Sequence, residues 1–441
     1  MKDYLTILGA GLAGSEAAWQ AAERGVSVVL YEMRPTKPTA AHKTDHCAEL
    51  VCSNSLGNNQ SPSAPYLLKE ELRRFNSLII NAGDTHSVPA GAALAVDRDL
   101  FSKKITEQLL KHPNITLIRE EVLEIPSEGP VIVATGPLTS PSLSESISRL
   151  IGQEYLYFYD AISPIIDANT IDYNKTFFAS RYDKGTDDYL NCPLNEGQYY
   201  ALVNELKIGE KVPFKSFEKP IYFEGCMPVE ELAIRGDKTL AFGPLKPVGL
   251  LHPETKEQFY AVVQLRHENK EGTAFNLVGF QTKLTYPEQK RVIRMIPGLE
   301  NAEFFRFGAI HRNTYINAPD VLSCDLDLKS NRGIYFAGQI IGVEGYVESV
   351  SMGLLAALSA VKKIKGEEYL IPPVDTALGS LLKYVTESRR QSFQPMNINY
   401  GLFQVNEMKI KNKRERNKNI ESKALNSLSK WMDTIDGELV K

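Results

Sequence analysis

The sequence predicts an α/β fold in which a parallel-sheet domain is interrupted by an inserted α+β domain with largely antiparallel strands. Three observations predict it. A strand, a glycine-rich loop and a helix follow one another over residues 4–24, and a second strand–glycine–helix unit spans residues 333–363. Strand-like alternation fills much of the chain from about residue 155 to 306. The length of 441 residues suits two or three domains of about 150 residues each.

The amino-terminal unit has the pattern of a Rossmann-like, dinucleotide-binding domain. Tyr4–Leu8 is typical of a buried strand, and the next strand closes at Glu32. The intervening G-x-G-x-x-G loop consists of Gly9, Ala10, Gly11, Leu12, Ala13 and Gly14. In such loops the first glycine makes the tight turn, the second lets a pyrophosphate approach, and the third lets the helix contact the strand. Glu32 follows Gly14 at close to the ~20-residue spacing of an acidic residue that binds a ribose hydroxyl.

Two separated halves favour FAD over NAD. The strand 131–136 ends in Ala-Thr-Gly, where two-part flavoproteins return beside the adenosine. The late strand 333–338, followed by Gly342, Gly345 and a helix over 347–363, resembles the second FAD motif, in which a helix amino terminus faces the flavin. Both halves are needed to hold the length of FAD. The alternative for the late unit is a plain strand–turn–helix.

Four segments divide the chain. Residues 1–154 form the first part of the FAD-binding domain, 155–306 the inserted substrate or RNA domain, 307–400 the second part, and 401–441 a basic helical tail. Strands are predicted at Ile115–Ile118, Glu121–Ile125, Lys219–Phe223, Phe259–Arg266 and Thr273–Gln281. Because ligand sites favour domain interfaces, we expect the substrate cleft between the insert and the flavin.

Composition limits the partners. The chain is 43% hydrophobic and 24% charged, the profile of a folded globular protein. Fifty basic against 54 acidic residues give a net charge of −4, so any RNA site must be a local patch. The candidate patch is the run Lys409–Lys418, with six basic residues against Glu415; its RNA contacts would come from Lys411, Lys413, Arg414 and Arg416, and a solvated helix face is the alternative. No stretch approaches a membrane span, so no membrane partner is predicted.

Among the cysteines, the sequence pattern indicates a reactive thiol at one position, Cys226. There are five of them, Cys47, Cys52, Cys192, Cys226 and Cys324, with no C-x-x-C spacing, so we expect reduced thiols in a cytoplasmic protein and no metal site. Cys226 lies just before Pro228, which suits a first helical position, and a helix amino terminus lowers a thiol pKa and favours the nucleophilic thiolate. Cys52 lies where an apolar stretch meets a polar loop and, taken alone, is better interpreted as structural.

Eight motifs together resemble a known family. They are Gly9–Ala18, Tyr31–Pro35, Ala48–Ser55, Val88–Gly91, Ala95–Arg98, Phe223–Pro228, His311–Thr314 and Phe336–Ser349. They resemble the folate- and FAD-dependent tRNA (uracil-5-)-methyltransferase family, TrmFO. The similarity extends over nearly the whole chain, to about Arg416.

The resemblance implies transfer of the methylene group of 5,10-methylenetetrahydrofolate to uracil C5 in RNA, usually uridine-54 of the tRNA T loop, with FAD bound and NAD(P)H as reductant. It places the two functional cysteines on Cys226 and Cys52; we assign Cys226 as nucleophile and Cys52 as general base, with the reverse left open. The implied cofactor residues, besides the glycine loop, are Glu32, Arg98, Thr135, Gly136, Gly338, Gln339, Gly345 and Tyr346. The implied folate residues are His311, Arg312 and Asn313.

The sequence departs from the family pattern at one position, and three alternative functions stay open. Gly57 stands where family members usually carry a basic residue directly after the leucine, so a 23S ribosomal RNA uridine is an alternative target to tRNA. The related wobble-uridine flavoprotein GidA, or MnmG, shares Pro297–Ala302 and Phe336–Gln339 but is much longer. A non-catalytic RNA-binding scaffold and a simple NAD(P)H oxidase are further alternatives. RNA is the expected partner, and no obligate protein partner is predicted.

Overall fold

A computed structural model describes residues 4–39, 41–152, 156–183, 186–213, 222, 227–388, 393–403, 410 and 412–437. The strands in these ranges are β1 Tyr4–Leu8, β2 Ser27–Glu32, β3 Ser55–Asn58, β4 Ser87–Val88, β5 Ala93–Val96, β6 Ile115–Arg119, β7 Val131–Val133, β8 Leu156–Ala161, β9 Ile165–Asp167, β10 Phe177–Phe178, β11 Tyr189–Leu194, β12 Ala261–His267, β13 Ala274–Leu277, β14 Phe304–Arg306, β15 Ile310–Tyr315 and β16 Ile334–Phe336. The helices are α1 Leu12–Glu23, α2 Ala64–Arg74, α3 Leu78–Thr85, α4 Arg98–Lys111, α5 Pro141–Ile151, α6 Glu196–Ile208, α7 Val229–Arg235, α8 Thr239–Phe242, α9 Tyr286–Ile293, α10 Ala318–Val321, α11 Tyr346–Lys365, α12 Ala377–Glu387 and α13 Lys413–Gly437.

The parallel sheet has the order β16-β7-β1-β2-β6, with every pair parallel. Leu8 at the end of β1 is in register with Tyr31 and Val133, so the carboxyl ends of three strands meet at one edge. This is the edge at which nucleotides bind in open α/β sheets. The predicted strand at 121–125 is wrong: the segment is irregular, and the Ile125 N–H donates to Ser146 Oγ instead of to a neighbouring strand.

Helices α1 and α11 pack tightly against each other. A Cβ added at Gly353 of α11 would lie 2.2 Å from the carbonyl oxygen of Ala13 in α1, so only glycine permits this approach. Each helix follows a strand of the same parallel sheet through a glycine loop, so both amino termini lie at the same edge. The two strand–glycine–helix units predicted from the sequence are therefore joined into one nucleotide-facing edge.

The inserted segment forms a six-stranded antiparallel sheet of order β10-β11-β12-β13-β9-β14. It has its own hydrophobic core, drawn from residues between Ile166 and Phe304, separate from the core around the parallel sheet. The predicted hairpin of β12 and β13 is present, with Leu265 opposite Leu277. The predicted strand 219–223 lies outside the described residues except for Tyr222. The fold class is as predicted, whereas the domain boundaries stay a prediction.

Helix α13 anchors the basic tail to the first core. Its apolar residues Ile420, Ala424, Leu428, Trp431 and Ile435 recur every three or four positions and are all buried. The Trp431 ring meets Phe75 edge-on at 5.7 Å, and its Nε1 donates to the Leu370 carbonyl at 3.1 Å. In the part of the chain that the structure describes, no helix is both long and apolar enough to cross a bilayer.

Candidate active site

A cavity of about 600 Å³, including the solvent in its mouth, opens at the carboxyl edge of the parallel sheet. It is lined by Leu8, Gly9, Gly11, Tyr31, Glu32, Met33, Arg34, His42, Glu120, Glu121, Val122, Ala134, Thr135, Leu138, Thr139, Ser140 and Leu143. We refer to it as the nucleotide cavity. Four of the predicted cofactor residues, Gly9, Gly11, Glu32 and Thr135, therefore line one space.

The glycine loop fits a bound pyrophosphate. A Cβ at Gly14 would lie 1.8 Å from the Gly9 carbonyl oxygen, so the protein itself requires glycine there. A Cβ at Gly11 would meet no protein atom within 4 Å, although this residue caps α1 and borders the cavity. The open space at Gly11 lies at the helix amino terminus, where backbone N–H groups and the helix dipole favour a phosphate. The residues present thus suit a dinucleotide.

Glu32 organises the loop as well as facing the cavity. Its carboxylate accepts the Ala10 N–H at 3.0 Å and the Arg34 Nε at 2.8 Å. Burial alone would raise the pKa of Glu32, but the charge and hydrogen bonds of Arg34 hold that pKa below its usual range, so the residue is ionised. Burial and the nearby Arg34 charge lower the pKa of His42 to about 4, so this cavity residue is neutral at physiological pH.

A second and larger cleft of about 1220 Å³, including the solvent in its mouth, adjoins the first. Its lining is Ala41, Val51, Cys52, Ser53, Ser55, Leu56, Gly57, Pro65, Pro137, Leu138, Ile162, Asn313, Gln339, Glu344, Gly345, Tyr346, Val347, Glu348 and Asn397. We refer to it as the Cys52 cleft. Leu138 lines both cavities, so a ligand as long as FAD can extend from the glycine loop to the amino terminus of α11.

Tyr346, the first residue of α11, binds the segment that carries Cys52. The Tyr346 hydroxyl accepts the backbone N–H of Cys52 at 2.8 Å and that of Ser53 at 3.1 Å. Burial, with the nearby Cys52 thiol, raises the pKa of Tyr346, so the hydroxyl keeps its proton. The Cys52 thiol borders the cleft and lies 3.9 Å from the Ala161 carbonyl oxygen. A thiol that sequence reasoning alone favoured as structural therefore faces the cleft.

Three arginines, which we call the arginine clamp, hold the segment that carries Cys52. Arg98 donates to the carbonyls of Leu50 at 2.5 Å and Cys52 at 2.9 Å. Arg306 donates to the Val51 carbonyl at 2.5 Å. Arg266 binds the Ser53 hydroxyl and the Asn54 side chain, both at 3.0 Å.

The clamp joins the two sheets. Arg266 lies on β12 and Arg306 on β14 of the antiparallel sheet, whereas Arg98 begins α4 beside the parallel sheet. Arg98 also forms an ion pair with Glu268, which follows β12. Arg98 lines neither cavity. Its contacts support a role in placing Cys52, while direct flavin contact, expected from the family resemblance, is untested.

Two buried side chains that the sequence did not single out belong to the surroundings of the Cys52 cleft: Glu348 lines it, and Lys69 binds the carbonyls of two lining residues. Glu348, in the first turn of α11, accepts the Ile398 N–H at 3.0 Å, and burial raises its pKa to about 7. Lys69 donates to the carbonyls of Leu56, Asn58 and Pro65 at 2.9–3.0 Å, and burial lowers its pKa to about 8. A lysine from α2 thus fixes the strand that carries Gly57.

The structure brings only some of the other predicted site residues to the two cavities. Cys226 and Lys411 lie outside the described residues, and only the backbone of His311 and Arg312, in β15, is described. Asn313, Gln339, Gly345 and Tyr346 line the Cys52 cleft, whereas Gly136 and Gly338 line neither cavity. Lys413, Arg414 and Arg416 are exposed on the first turn of α13. Within the described ranges, no group of three or more metal-ligating side chains occurs.

The remaining thiols have inert surroundings. Burial raises the pKa of Cys47, Cys192 and Cys324, which disfavours the reactive thiolate form of each. Cys324 is the one of these three on the surface.

Replacing Arg98 should show whether this residue positions the Cys52 segment or binds the flavin. We expect Arg98→Ala to destabilise the fold by about 3–5 kcal/mol, because it leaves Glu268 buried without its ion-pair partner. The double variant Arg98→Ala/Glu268→Ala should regain part of that stability but none of the activity, since the Leu50 and Cys52 carbonyls still lack their donor. Thermal unfolding and product formation measure the two effects.

Arg73→Ala is the matched control, because Arg73 pairs with Glu70 and Asp84 near the surface and should change stability by about 1 kcal/mol or less. Loss of flavin from folded Arg98→Ala, with unchanged reactivity of Cys52, would instead make Arg98 a cofactor ligand.

The fold and the two adjoining cavities define a two-part dinucleotide-binding α/β protein, and comparisons with known proteins agree. A family model described as glucose inhibited division protein A matches residues 4–368. Among solved structures, GidA of Aquifex aeolicus superposes with a TM-score of 0.71 at 18% identity, over 98% of this chain and 76% of that one, which shows the shared fold. The chain belongs to the glucose inhibited division protein A family.

Within that family the chain is a member of the TrmFO group. It is 57% identical over 429 residues to the methylenetetrahydrofolate–tRNA-(uracil-5-)-methyltransferase TrmFO of Natranaerobius thermophilus, covering 97% of this chain and 99% of that protein. It is 53% identical over 431 residues to the protein of the same name from Bacillus subtilis, covering 98% and 99%. The family resemblance seen in the sequence motifs is confirmed.

Proposed function

We propose that this protein is an FAD-dependent methyltransferase that moves the one-carbon unit of methylenetetrahydrofolate to C5 of a uracil in tRNA. The observation that carries the proposal is the position of Cys52: its thiol borders a cleft that shares a wall with the nucleotide cavity and is held by both sheets. The names of the relatives agree with this activity.

The protein supplies a site for each part of FAD. The glycine loop and Glu32 would hold the pyrophosphate and ribose, and Gln339, Gly345 and Tyr346 at the start of α11 would border the flavin. When bound, FAD supplies a redox centre able to relay the carbon and electrons. The folate and the uracil would share the remaining Cys52 cleft, where Asn313 offers a buried amide.

Uracil C5 must be made nucleophilic before it can accept the carbon. A thiolate that adds to C6 forms an S–C6 bond and shifts the C5–C6 electron pair toward the C4 carbonyl, which gives C5 enolate character. After C5 bonds to the methylene carbon, a base removes the C5 proton, and the electron pair released breaks the bond between the methylene carbon and the nitrogen of its donor, which leaves an exocyclic methylene on C5. A hydride whose two electrons come from NAD(P)H then adds to this methylene to give the methyl group, as the C5–C6 double bond re-forms and the thiolate leaves C6.

We assign the nucleophile to Cys226 and the base to Cys52. Helix α7 begins at Val229 with Pro228 as its N-cap residue, one position before the first helical position predicted for this proline, and the dipole of a helix that begins three residues after Cys226 in the sequence supports the assignment. Glu230 and Glu231 in its first turn have partners elsewhere: Glu230 accepts from the Thr282 hydroxyl and the Lys283 N–H, and Glu231 pairs with Lys283. The reverse assignment of the two cysteines is distinguished by the adduct experiment described in the Discussion.

Uridine-54 of the T loop is the proposed target and NADPH or NADH the proposed reductant. The test is to incubate the purified protein with methylenetetrahydrofolate and NADPH on total tRNA and on ribosomal RNA from a strain that lacks the gene, and to map new 5-methyluridine. We expect it at tRNA position 54. New 5-methyluridine confined to 23S ribosomal RNA would favour that alternative target, and modification at the wobble position would favour GidA-like chemistry.

The basic run should add RNA affinity without choosing the base, because phosphate contacts position a nucleic acid and base contacts specify it. We expect Lys411→Ala/Lys413→Ala/Arg414→Ala to weaken tRNA binding and to flatten its salt dependence by about 0.7–0.9 in slope for each phosphate that is no longer bound. The methylated position and flavin reduction should stay the same.

Lys423→Ala/Lys430→Ala, on exposed positions later in α13, is the control for charge alone. Equal tRNA affinity and salt slope in both variants and the parent would make the run a solvated surface. Arg266 and Lys283 of the inserted domain offer no substitute path for RNA, because both side chains are buried and paired.

A further inference from the structure

Three aromatic rings, those of Phe304, Phe307 and Tyr286, form a stack beside the Cys52 cleft, and the outermost ring is exposed to solvent. We refer to this region as the rim. The rings of Phe304 and Phe307 lie 4.8 Å apart, and those of Phe307 and Tyr286 also lie 4.8 Å apart, each pair at 16° between planes. Phe304 packs against the core of the antiparallel sheet, and Tyr286 at the other end is 56% exposed. The outer face of the Tyr286 ring is therefore available to another flat group.

This aromatic stack lies beside the wall of the Cys52 cleft. Ala309 accepts the Ile162 N–H at 2.8 Å, and a Cβ at Gly308 would lie 2.6 Å from the Ile162 carbonyl oxygen. Ile162 lines the Cys52 cleft, and its neighbour Ala161 contacts the Cys52 thiol. The segment that follows Phe307 thus forms part of the cleft wall.

Two cations with unused hydrogen-bond donors flank the same rim. Among the described residues, the Arg306 guanidinium has one hydrogen bond, from Nη2 to the Val51 carbonyl, so Nε and Nη1 are free to bind a ligand. Lys43 is exposed, its ammonium group has no ion-pair partner within the described ranges, and Ala41 just before it lines the cleft. The backbone N–H of Lys43 donates to the Glu49 carboxylate at 2.8 Å, and Arg306 binds the carbonyl of Val51 two residues further on, so both cations lie beside the segment 49–51. In agreement, burial and the charges of Arg306 and Arg98 lower the pKa of Lys43, although Glu49 and Asp99 oppose this shift.

We propose that Tyr286, Arg306 and Lys43 form a rim site that binds the RNA strand beside the target uridine, with a base stacked on Tyr286 and phosphates on the two cations. Single-stranded nucleic acids are bound by this pairing of exposed aromatic rings with positive groups. The proposal rests on the proposed function for the identity of the RNA. It adds a contact surface outside the Cys52 cleft that neither the motifs nor the basic run identified.

RNA fits this rim better than the carboxylate tail of a folate. A folate must place its pterin ring inside the cleft to reach the thiol, so only its p-aminobenzoyl ring and glutamate carboxylates could lie on the rim, and the separate measurement of the folate KM tests that occupant. An RNA strand presents a base and a phosphate together.

The test uses the full-length flavin-containing protein. Initial rates of 5-methyluridine formation are measured at varied tRNA and, separately, at varied folate, and direct binding of fluorescent tRNA is measured in parallel. We expect Tyr286→Ala to raise the KM and Kd for tRNA about tenfold, and Tyr286→Phe to keep the parent values because the ring does the stacking. Lys43→Ala should reduce the slope of affinity against salt by about 0.7–0.9. NADPH reduction of the flavin without RNA should be unchanged.

Tyr173→Ala and Lys365→Ala are matched controls. Tyr173 is 46% exposed and stacks on Phe178 of β10, at the edge of the antiparallel sheet opposite β14, and exposed Lys365 ends α11 about 28 Å from the helix amino terminus at the cleft. Parent-like tRNA Kd and salt slope in Tyr286→Ala and Lys43→Ala overturn the proposal, as does a rise in the folate KM with no change for tRNA. Absence of 5-methyluridine with the parent protein refutes the proposed function, while the binding measurement still decides the rim site.

Discussion

Cys52→Ala and Cys226→Ala should each abolish methylation while FAD stays bound. Loss of a general base alone costs about 10²–10⁴ in rate, and loss of the nucleophile removes the activated uracil altogether. Neither cysteine belongs to the glycine loop Gly9–Gly14, and Cys52 does not line the nucleotide cavity. Product formation and the flavin absorbance of the purified variants measure the two expectations. Cys324→Ala, which changes a surface thiol that lines neither cavity, should behave as the parent.

The two variants should differ with RNA that contains 5-fluorouridine, because fluorine at C5 cannot be removed as a proton and traps the S–C6 bond. We expect Cys52→Ala still to form the covalent adduct and Cys226→Ala not to form it. An adduct mapped to Cys52 would reverse the two roles. Methylation at the parent rate in either variant would refute the participation of that cysteine.

Gly11→Val should yield a folded protein without flavin. The added side chain meets no protein atom close to its Cβ, and replacing glycine at a helix cap costs about 1 kcal/mol, which is small beside a typical stability of about 5–15 kcal/mol. The side chain instead enters the space where the pyrophosphate would approach the backbone. The flavin spectrum of the purified variant and its circular dichroism test these two statements.

Two other glycines provide the comparison. Gly197→Val, at an exposed position in the first turn of α6, should keep both fold and flavin. Gly14→Ala should fail to fold, because its Cβ would overlap the Gly9 carbonyl. A yellow Gly11→Val protein would exclude the glycine loop as the pyrophosphate site.

The nucleotide edge was predictable because its determinants are local. The order of strand, glycine loop and helix, and the spacing to Glu32, follow from contacts between residues close in sequence. The late unit at Gly345 was predictable for the same reason. The incorrect strand at 121–125 shows the limit of this reasoning: alternation of Glu, Val and Ile predicts a strand, but Glu121 pairs with Lys37 and borders the nucleotide cavity, which leaves the segment irregular.

The surroundings of Cys52 were not predictable from local pattern. Arg266 and Arg306 reach the Cys52 segment from more than 200 residues away in the chain, and only the packing of the antiparallel sheet brings them there. An isolated arginine in a strand carries no signal of its partner. The part that Asn397 and the Ile398 N–H take in the cleft depends on the same kind of long-range packing.

The central claim is that carbon passes from folate to uracil C5 at the Cys52 cleft. The direct measurement supplies methylenetetrahydrofolate labelled with carbon-13 in the methylene group to the purified protein, NADPH and tRNA from a strain lacking the gene, and then analyses the nucleosides by mass spectrometry. We predict 5-methyluridine with the label in its methyl group, formed by the parent and not by Cys52→Ala. Unlabelled 5-methyluridine, or none at all from flavin-loaded protein, would contradict the account.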